Sequence, residues 1–123
     1  MILVDTSVWI DHLRHGENDL VGLLDFGRVL AHPFVIGELA CGNLRNRAEV
    51  IRLLGDLPQA PVVSQEEALF FVESNELMGK GIGFIDAHLL AATALADASR
   101  IWTRDQRLRS VAAELQLDHH ESG

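Results

Sequence analysis

The chain has 123 residues, of which 48% are hydrophobic and 23% charged. This size and composition predict one folded domain spanning residues 1–123 and exclude a disordered or low-complexity protein. Ten basic residues against 18 acidic ones give a formal charge of −8. That charge argues against holding nucleic acid by bulk electrostatics, although a nucleic-acid substrate at a local site stays compatible with it.

No segment of the sequence indicates a membrane or secreted protein. The longest uncharged stretch in the second half, residues 87–96, is far shorter than the ~20 residues that span a bilayer. No basic run precedes the apolar N-terminus, which argues against a secretory signal. Cys41 is the only cysteine, which excludes an intrachain disulfide and fits a reducing cytoplasm. We therefore expect a cytoplasmic protein.

Short apolar segments alternate with helical patterns along the chain. Strands are predicted at residues 1–4, 28–31, 61–63 and 101–103. Helices are predicted directly after residue 5, at 20–26, from Pro33 through Cys41, at 48–57, after a capping box at Ser64 and Glu67, at 84–98 and at 108–115. This alternation predicts an α/β fold with a parallel sheet and helices on both faces.

Asp5 directly follows the first predicted strand. Ligands of such sheets bind outside the carboxyl ends of the strands, so this carboxylate lies where a ligand is expected. A short polar residue here is also the ordinary N-cap of the next helix, worth about 1 kcal/mol. Because Thr6 and Ser7 could cap equally well, both interpretations stay open, with a slight shift towards chemistry.

Glu38 is the only charged residue in the segment PFVIGELACG, and Phe34 and Cys41 share its helical face. The pattern predicts a buried or half-buried carboxylate. Such a group costs several kcal/mol unless it is protonated, paired or bound to a cation. An arginine partner and a bound cation explain it equally well.

Two further acids begin predicted helices. Asp86 is the single formal charge in GIGFIDAHLLAATALA, in a first turn where the helix dipole also favours a carboxylate. Asp105 lies two residues past the strand that ends in Thr103, and either residue could be an N-cap. Each acid therefore has a structural explanation of its own.

One explanation covers all four acids, because their positions converge on one edge of the sheet. Carboxylates ~4 Å apart repel by about 1 kcal/mol in water and about 4 kcal/mol at an effective dielectric of 20, so the cluster needs a counter-charge. Oxygen ligands without thiolates or paired histidines select hard cations, namely Mg²⁺ or Mn²⁺. Such a site activates water for displacement at phosphorus, which predicts a hydrolytic phosphodiesterase.

Four blocks, VDTSVWI, GELACG, GFIDAHLLAATA and IWTRDQRL, follow one another in an order and at separations that resemble the PIN-domain nucleases. The resemblance covers essentially the whole chain. The FIDAHLLAATA and WTRD blocks are most similar to VapC-type toxins of bacterial toxin–antitoxin pairs. This resemblance implies a three-layer α/β/α sandwich around a central parallel sheet, with the activity of a Mg²⁺-dependent endoribonuclease.

The resemblance also implies which residues form the site. Asp5 and Asp86 match the principal metal ligands, Thr103 matches the supporting hydroxyl, and Ser7 is a candidate for a further hydroxyl donor. Leu108 replaces an aromatic residue found in many members, for which we expect only a packing difference. The implied catalytic set, whose four acids are also the metal ligands, is Asp5, Glu38, Asp86, Asp105 and Thr103.

The partners implied by the resemblance are an RNA substrate, a second copy of the chain and a small antitoxin encoded alongside. The antitoxin is expected to wrap the toxin and to place an arginine in the acidic pocket. A guanidinium suits that position because it binds carboxylates in a bidentate manner, in place of the cation.

Three other functions compete with the nuclease. A phospho-acceptor receiver domain would need paired acids after the first strand and a lysine after the last, but Thr6 follows Asp5 and the sole lysine is Lys80. A haloacid dehalogenase-type phosphatase would need an aspartate where Ser7 stands. A catalytically silent domain that only binds a partner is disfavoured because all four acids are intact.

Several other features have ordinary structural explanations. The GKGIG run at 79–83 lacks the spacing of a phosphate-binding loop and follows a helix, which predicts a flexible connector. Trp9 and Trp102 could stack an unpaired base, but both fall in apolar patterns typical of a core. Phe70 and Phe71 are adjacent and cannot both face one core, so one of them is a candidate interface residue.

Overall fold

The computed structural model describes residues 1–121 and shows a parallel sheet of three strands in the order β2-β1-β3. The strands are β1 (Ile2–Val4), β2 (Val29–Leu30) and β3 (Arg100–Trp102). In the centre of the sheet, Leu3 of β1 pairs with Leu30 on one side and Ile101 on the other. Leu3 and Ile101 are fully buried, as expected for a parallel sheet covered on both faces.

Seven helices within the described residues surround the sheet and complete a three-layer α/β/α sandwich, which confirms the predicted fold class. They are α1 (Thr6–His15), α2 (Asn18–Asp25), α3 (Pro33–Ala40), α4 (Arg47–Asp56), α5 (Gln65–Ser74), α6 (Phe84–Leu95) and α7 (Gln106–Glu114). Between residues 1 and 121, none of these helices combines the length and apolar character needed to cross a membrane.

The helix starts follow from local sequence. Pro33 occupies the first position of α3, where its missing N–H costs nothing. The predicted capping box opens α5, since Ser64 Oγ accepts from Glu67 N–H and Glu67 Oε1 accepts from Ser64 N–H. Trp9 and Trp102 are both buried in the core, so neither is available to stack on a nucleotide.

The predicted strand at 61–63 is wrong. Instead, Ala31 forms a single bridge to Gln59, through its N–H to Pro58 O and its carbonyl to Ala60 N–H. Pro58 and Pro61 lack backbone donors on either side of this bridge, so the pairing cannot extend into a strand.

The long helix α6 ends at Leu95, three residues before its predicted end. Ala98 has a φ of 54°, a left-handed conformation that cannot continue the helix. Ser99 N–H instead donates to the Ala96 carbonyl and closes a turn that leads into β3.

Candidate active site

The carboxyl ends of β1 and β3 place Asp5 beside Thr103. Asp5 N–H donates to Trp102 O at 2.9 Å, which continues the pairing of the two strands one residue beyond β1. Asp5 is only 7% exposed, and Thr103 is buried as well. Residues 98 positions apart in the sequence thus meet at the edge of the sheet where the parallel topology predicts a ligand.

Two hydroxyl groups fix one oxygen of the Asp5 carboxylate. Thr103 Oγ1 donates to Asp5 Oδ2 at 2.7 Å, and Ser7 Oγ donates to the same oxygen at 3.1 Å. The hydroxyls are themselves held by backbone donors, because Arg104 N–H donates to Ser7 Oγ and Asp105 N–H donates to Thr103 Oγ1. Asp5 Oδ1 accepts no hydrogen bond from residues 1–121, so it is free to bind a ligand.

Asp5 is at the N-cap position of α1, but its side chain makes no capping hydrogen bond. The N-cap interpretation of this residue is therefore wrong. Its carboxylate is oriented by Ser7 and Thr103 instead, and helix capping does not explain why an acid stands at this position.

Asp86 and Asp105 do act as caps, each with one oxygen. Asp86 Oδ2 accepts from Gly83 N–H at 3.2 Å, and Asp105 Oδ1 accepts from Leu108 N–H at 3.0 Å. The second oxygen of each carboxylate has no hydrogen-bond donor among the described residues. Capping thus orients both acids and still leaves each of them an oxygen for a ligand.

Glu38 lies in α3 and is exposed, so the expectation that it is buried or half-buried is wrong. A single charge on an apolar helix can sit at the rim of the packed face, which the sequence alone does not distinguish from the interior. Desolvation by the surrounding protein atoms still raises the pKa of Glu38, even though the residue is exposed. The charges of Asp5 and Asp86 raise it further, and the nearby Thr6 hydroxyl partly offsets the rise.

The same repulsion acts on Asp86. Burial raises its pKa, the Gly83 N–H lowers it, and the charges of Asp5 and Asp105 raise it. The charges of Asp5 and Asp86 thus act on Glu38, and those of Asp5 and Asp105 act on Asp86.

No lysine or arginine within residues 1–121 forms an ion pair with any of these four acids. The arginine partner considered for Glu38 is absent from this described part. No three histidine, cysteine or acidic side chains between residues 1 and 121 are already gathered closely enough to hold a metal ion. The free donor atoms are all carboxylate oxygens, the donor set that a hard divalent cation prefers.

Arg104 organises the same edge of the sheet, a role that the sequence pattern did not reveal. Its guanidinium contacts Asp11 and Glu17 at 2.6 and 2.7 Å, and Glu121 at 2.6 Å. The hydrogen bonds to Glu17 and Glu121 raise the pKa of Arg104. The guanidinium also lies 5.7 Å from the centre of the Trp102 ring. The only sequence signal was an arginine cluster, for which a solvated helix face is the ordinary explanation.

Arg104→Met is expected to lower the free energy of unfolding by about 2 kcal/mol, because it leaves three carboxylates facing one another without a cation. Solvent screening keeps the loss below that of a fully buried pair, since the side chain is 26% exposed. Urea unfolding at low and high salt measures the effect. Arg52→Met is the matched control, because Arg52 forms an exposed pair with Asp56, and its loss should stay within about 0.5 kcal/mol. Equal losses for both variants would contradict the role given to Arg104.

The chain is similar to known proteins over most of its length. The family model described as the PIN domain matches residues 2–114. The chain is 49% identical over 114 residues to Ribonuclease VapC32 of Mycobacterium tuberculosis, in both strain CDC 1551 / Oshkosh and strain ATCC 25618 / H37Rv. The matched region covers 93% of this chain and 92% of each relative.

Proposed function

Because the chain belongs to the PIN-domain family, and within it to the VapC-type group, we propose that it is a Mg²⁺-dependent endoribonuclease, with Mn²⁺ as a possible substitute. We further propose that it is the toxin of a toxin–antitoxin pair and acts as one nuclease domain over residues 1–123. Membership of this family argues against the receiver and phosphatase alternatives.

The observation that carries this proposal is that the two oxygens of each of three carboxylates differ in their hydrogen bonding. Asp5, Asp86 and Asp105 each commit one oxygen to a fixed protein donor, and each leaves the other free. A purely structural acid has no need for a free oxygen beside other acids, because like charges repel. A divalent cation would offset that repulsion and draw the free oxygens together.

In the proposed mechanism, Asp5 and Asp86 would hold the cation, and Glu38 and Asp105 would supply further oxygen ligands. When bound, such a cation acidifies a water molecule and neutralises charge that develops on the phosphate. Thr103 and Ser7 keep Asp5 oriented, while backbone N–H groups orient Asp86 and Asp105. No side chain is required to form a covalent bond with the substrate.

The proposed antitoxin has a suitable groove on this chain. A cavity of about 650 Å³ lies between α1, α3, the 42–46 loop and the start of α4. Glu38 is among its lining residues, together with apolar side chains that include Ile10, Leu13 and Val50. An apolar segment bound there could extend an arginine towards the acids. This arrangement supports inhibition by occupation of the site.

We also propose a homodimer and a cytoplasmic location. The exposed faces of α5 and α6 carry Leu69, Phe70 and Leu95, and Phe70 is 73% exposed. Apolar side chains this open to water suit a contact with a second copy. The single cysteine and the absence of a disulfide pair fit a reducing compartment.

Dependence on a divalent cation tests the proposal. We expect the purified chain, free of its antitoxin, to cleave total bacterial RNA in Mg²⁺ or Mn²⁺. We expect EDTA to stop the cleavage and added Mg²⁺ to restore it. Unchanged cleavage in EDTA would contradict the metal site. Binding of a partner without cleavage in Mg²⁺ would favour a catalytically silent domain.

A further inference from the structure

A shallow cleft lies beside the acidic site, between α7 and the connector at 79–83. Its cavity volume is about 380 Å³. The connector runs directly into the first turn of α6, which carries Asp86, and α7 begins immediately after Asp105. Two residues that line the cleft are thus close in sequence to acids of the site, since Gln106 directly follows Asp105 and Lys80 lies six residues before Asp86. The side chains that line it are Lys80, Gln106, Arg107, Ser110, Val111 and Glu114.

The basic side chains around this edge of the sheet differ in the ion pairs that they form. Arg104 is surrounded by three carboxylates, and Lys80 Nζ is 2.8 Å from Glu114 Oε2. Arg107 is exposed and forms no ion pair or side-chain hydrogen bond with the described residues. Among the basic residues that line the cleft, Arg107 thus carries a charge that no protein carboxylate within residues 1–121 neutralises.

Gly81 seats the Arg107 side chain against the connector. A side chain at position 81 would place its first carbon 2.7 Å from Arg107 Cδ, 3.1 Å from Nη1 and 3.2 Å from Nε. Gly81 also has a φ of 82°, a conformation that strongly favours glycine. The contact involves the outer part of the Arg107 side chain, so a side chain at position 81 would displace the guanidinium from the position that it has here.

We propose that Arg107, seated on Gly81, binds a backbone phosphate of the RNA next to the phosphate that is cleaved. This inference rests on the proposed function. A polyanion approaching four carboxylates on a chain of formal charge −8 is repelled unless a local cation offsets the repulsion. A guanidinium suits a phosphate because it donates two parallel N–H bonds.

Arg107→Gln tests the phosphate contact. We expect KM for a short single-stranded RNA to rise about tenfold while kcat changes little, since the contact is to a neighbouring phosphate that does not react. The slope of log KM against log salt concentration should fall by about 0.7, the value for one phosphate on single-stranded nucleic acid. Arg107→Lys should keep the salt slope. Arg52→Gln, on α4, is the charge-matched control and should leave both quantities unchanged.

The contact between Gly81 and Arg107, here called the seat, is tested by comparing two glycines of the same connector. Gly81→Ala introduces backbone strain and also displaces Arg107, whereas Gly79→Ala introduces similar strain, at a φ of 75°, with nothing within 4 Å of the new carbon. We expect Gly81→Ala to raise KM more than Gly79→Ala does. Adding Arg107→Gln to Gly81→Ala should cause little further change, because both act through the same guanidinium.

The outcomes separate this inference from the proposed function. If the unmodified chain cleaves RNA in Mg²⁺ and Arg107→Gln keeps its KM and salt slope, the phosphate site is wrong and the nuclease stands. If Gly81→Ala and Arg107→Gln are additive, the seat is wrong. If the unmodified chain does not cleave RNA at all, the proposed function itself fails.

Discussion

Asp5→Asn is expected to lower kcat for RNA cleavage about a thousandfold or more, equivalent to roughly 4 kcal/mol of transition-state stabilisation. The amide keeps the shape of the side chain, and its oxygen can still accept hydrogen bonds from the hydroxyls of Thr103 and Ser7. It replaces the free Oδ1 with an uncharged NH₂ group, which cannot bind a cation. The change is therefore selective for the proposed metal ligand.

Single-turnover cleavage in Mg²⁺ measures this effect, with circular dichroism to confirm that the variant is folded. Asp97→Asn makes the same chemical change at an exposed position beyond the end of α6 and should keep full activity. Retained cleavage by Asp5→Asn, at a rate near that of Asp97→Asn, would show that Asp5 is not a ligand or that a contaminant cleaves the RNA.

Acid is expected to remove about 3 kcal/mol of stability through His32 as the pH falls from about 6.5 to about 4. This imidazole is fully buried and caps α3, because its Nδ1 accepts from Phe34 N–H at 3.0 Å. Burial, followed by the charge of His88, lowers the pKa of His32 to about 4. Protonation would break the capping bond and place a cation at the N-terminus of a helix.

The direction of this stability change follows from proton binding in the folded and unfolded states. An unfolded His32 binds its proton near pH 6.5, whereas the folded protein resists protonation down to about pH 4. Between these values the unfolded state holds more protons, so the free energy of unfolding falls as the pH is lowered. At about 1.4 kcal/mol per pH unit, the loss over this window is about 3 kcal/mol.

His32→Asn isolates the contribution, since asparagine can accept from Phe34 N–H and does not titrate. Urea unfolding between pH 7 and pH 4 should show a steeper loss for the unmodified chain than for the variant. The comparison with the variant is needed because Glu38 and Asp86 act in the opposite direction to His32. Their pKa values are raised in the folded state, so their protonation favours that state in acid. Parallel curves for the two proteins would contradict the assigned role of His32.

Patterns along the chain were sufficient to predict the alternating fold, and they are the basis of the hypothesis that the acids converge. Asp5 and Asp86 interrupt apolar segments, and an isolated charge in such a setting has few structural explanations. The parallel topology confirmed by the pairing of β1 with β2 and β3 brings strand ends together without any knowledge of side-chain contacts. The roles of the four acids stay a proposal until cleavage and metal binding are measured.

Other features depended on contacts that periodicity does not encode. Glu38 shares a helical face with apolar residues, yet its exposure depends on how deeply α3 packs against its neighbours. Arg104 reaches Glu17 across 87 residues of sequence, and the contact of Gly81 with Arg107 joins a connector to a different helix. Such long-range contacts need the folded structure.

The most direct test of the central claim is a crystal structure of the chain with Mn²⁺, using anomalous scattering to locate the ion. We predict one or more peaks at coordination distance from Asp5 and Asp86, with Glu38 and Asp105 drawn towards them, and no such peak in Asp5→Asn. Mn²⁺ absent from this edge of the sheet, or bound elsewhere while the four carboxylates stay apart, would contradict the metal site.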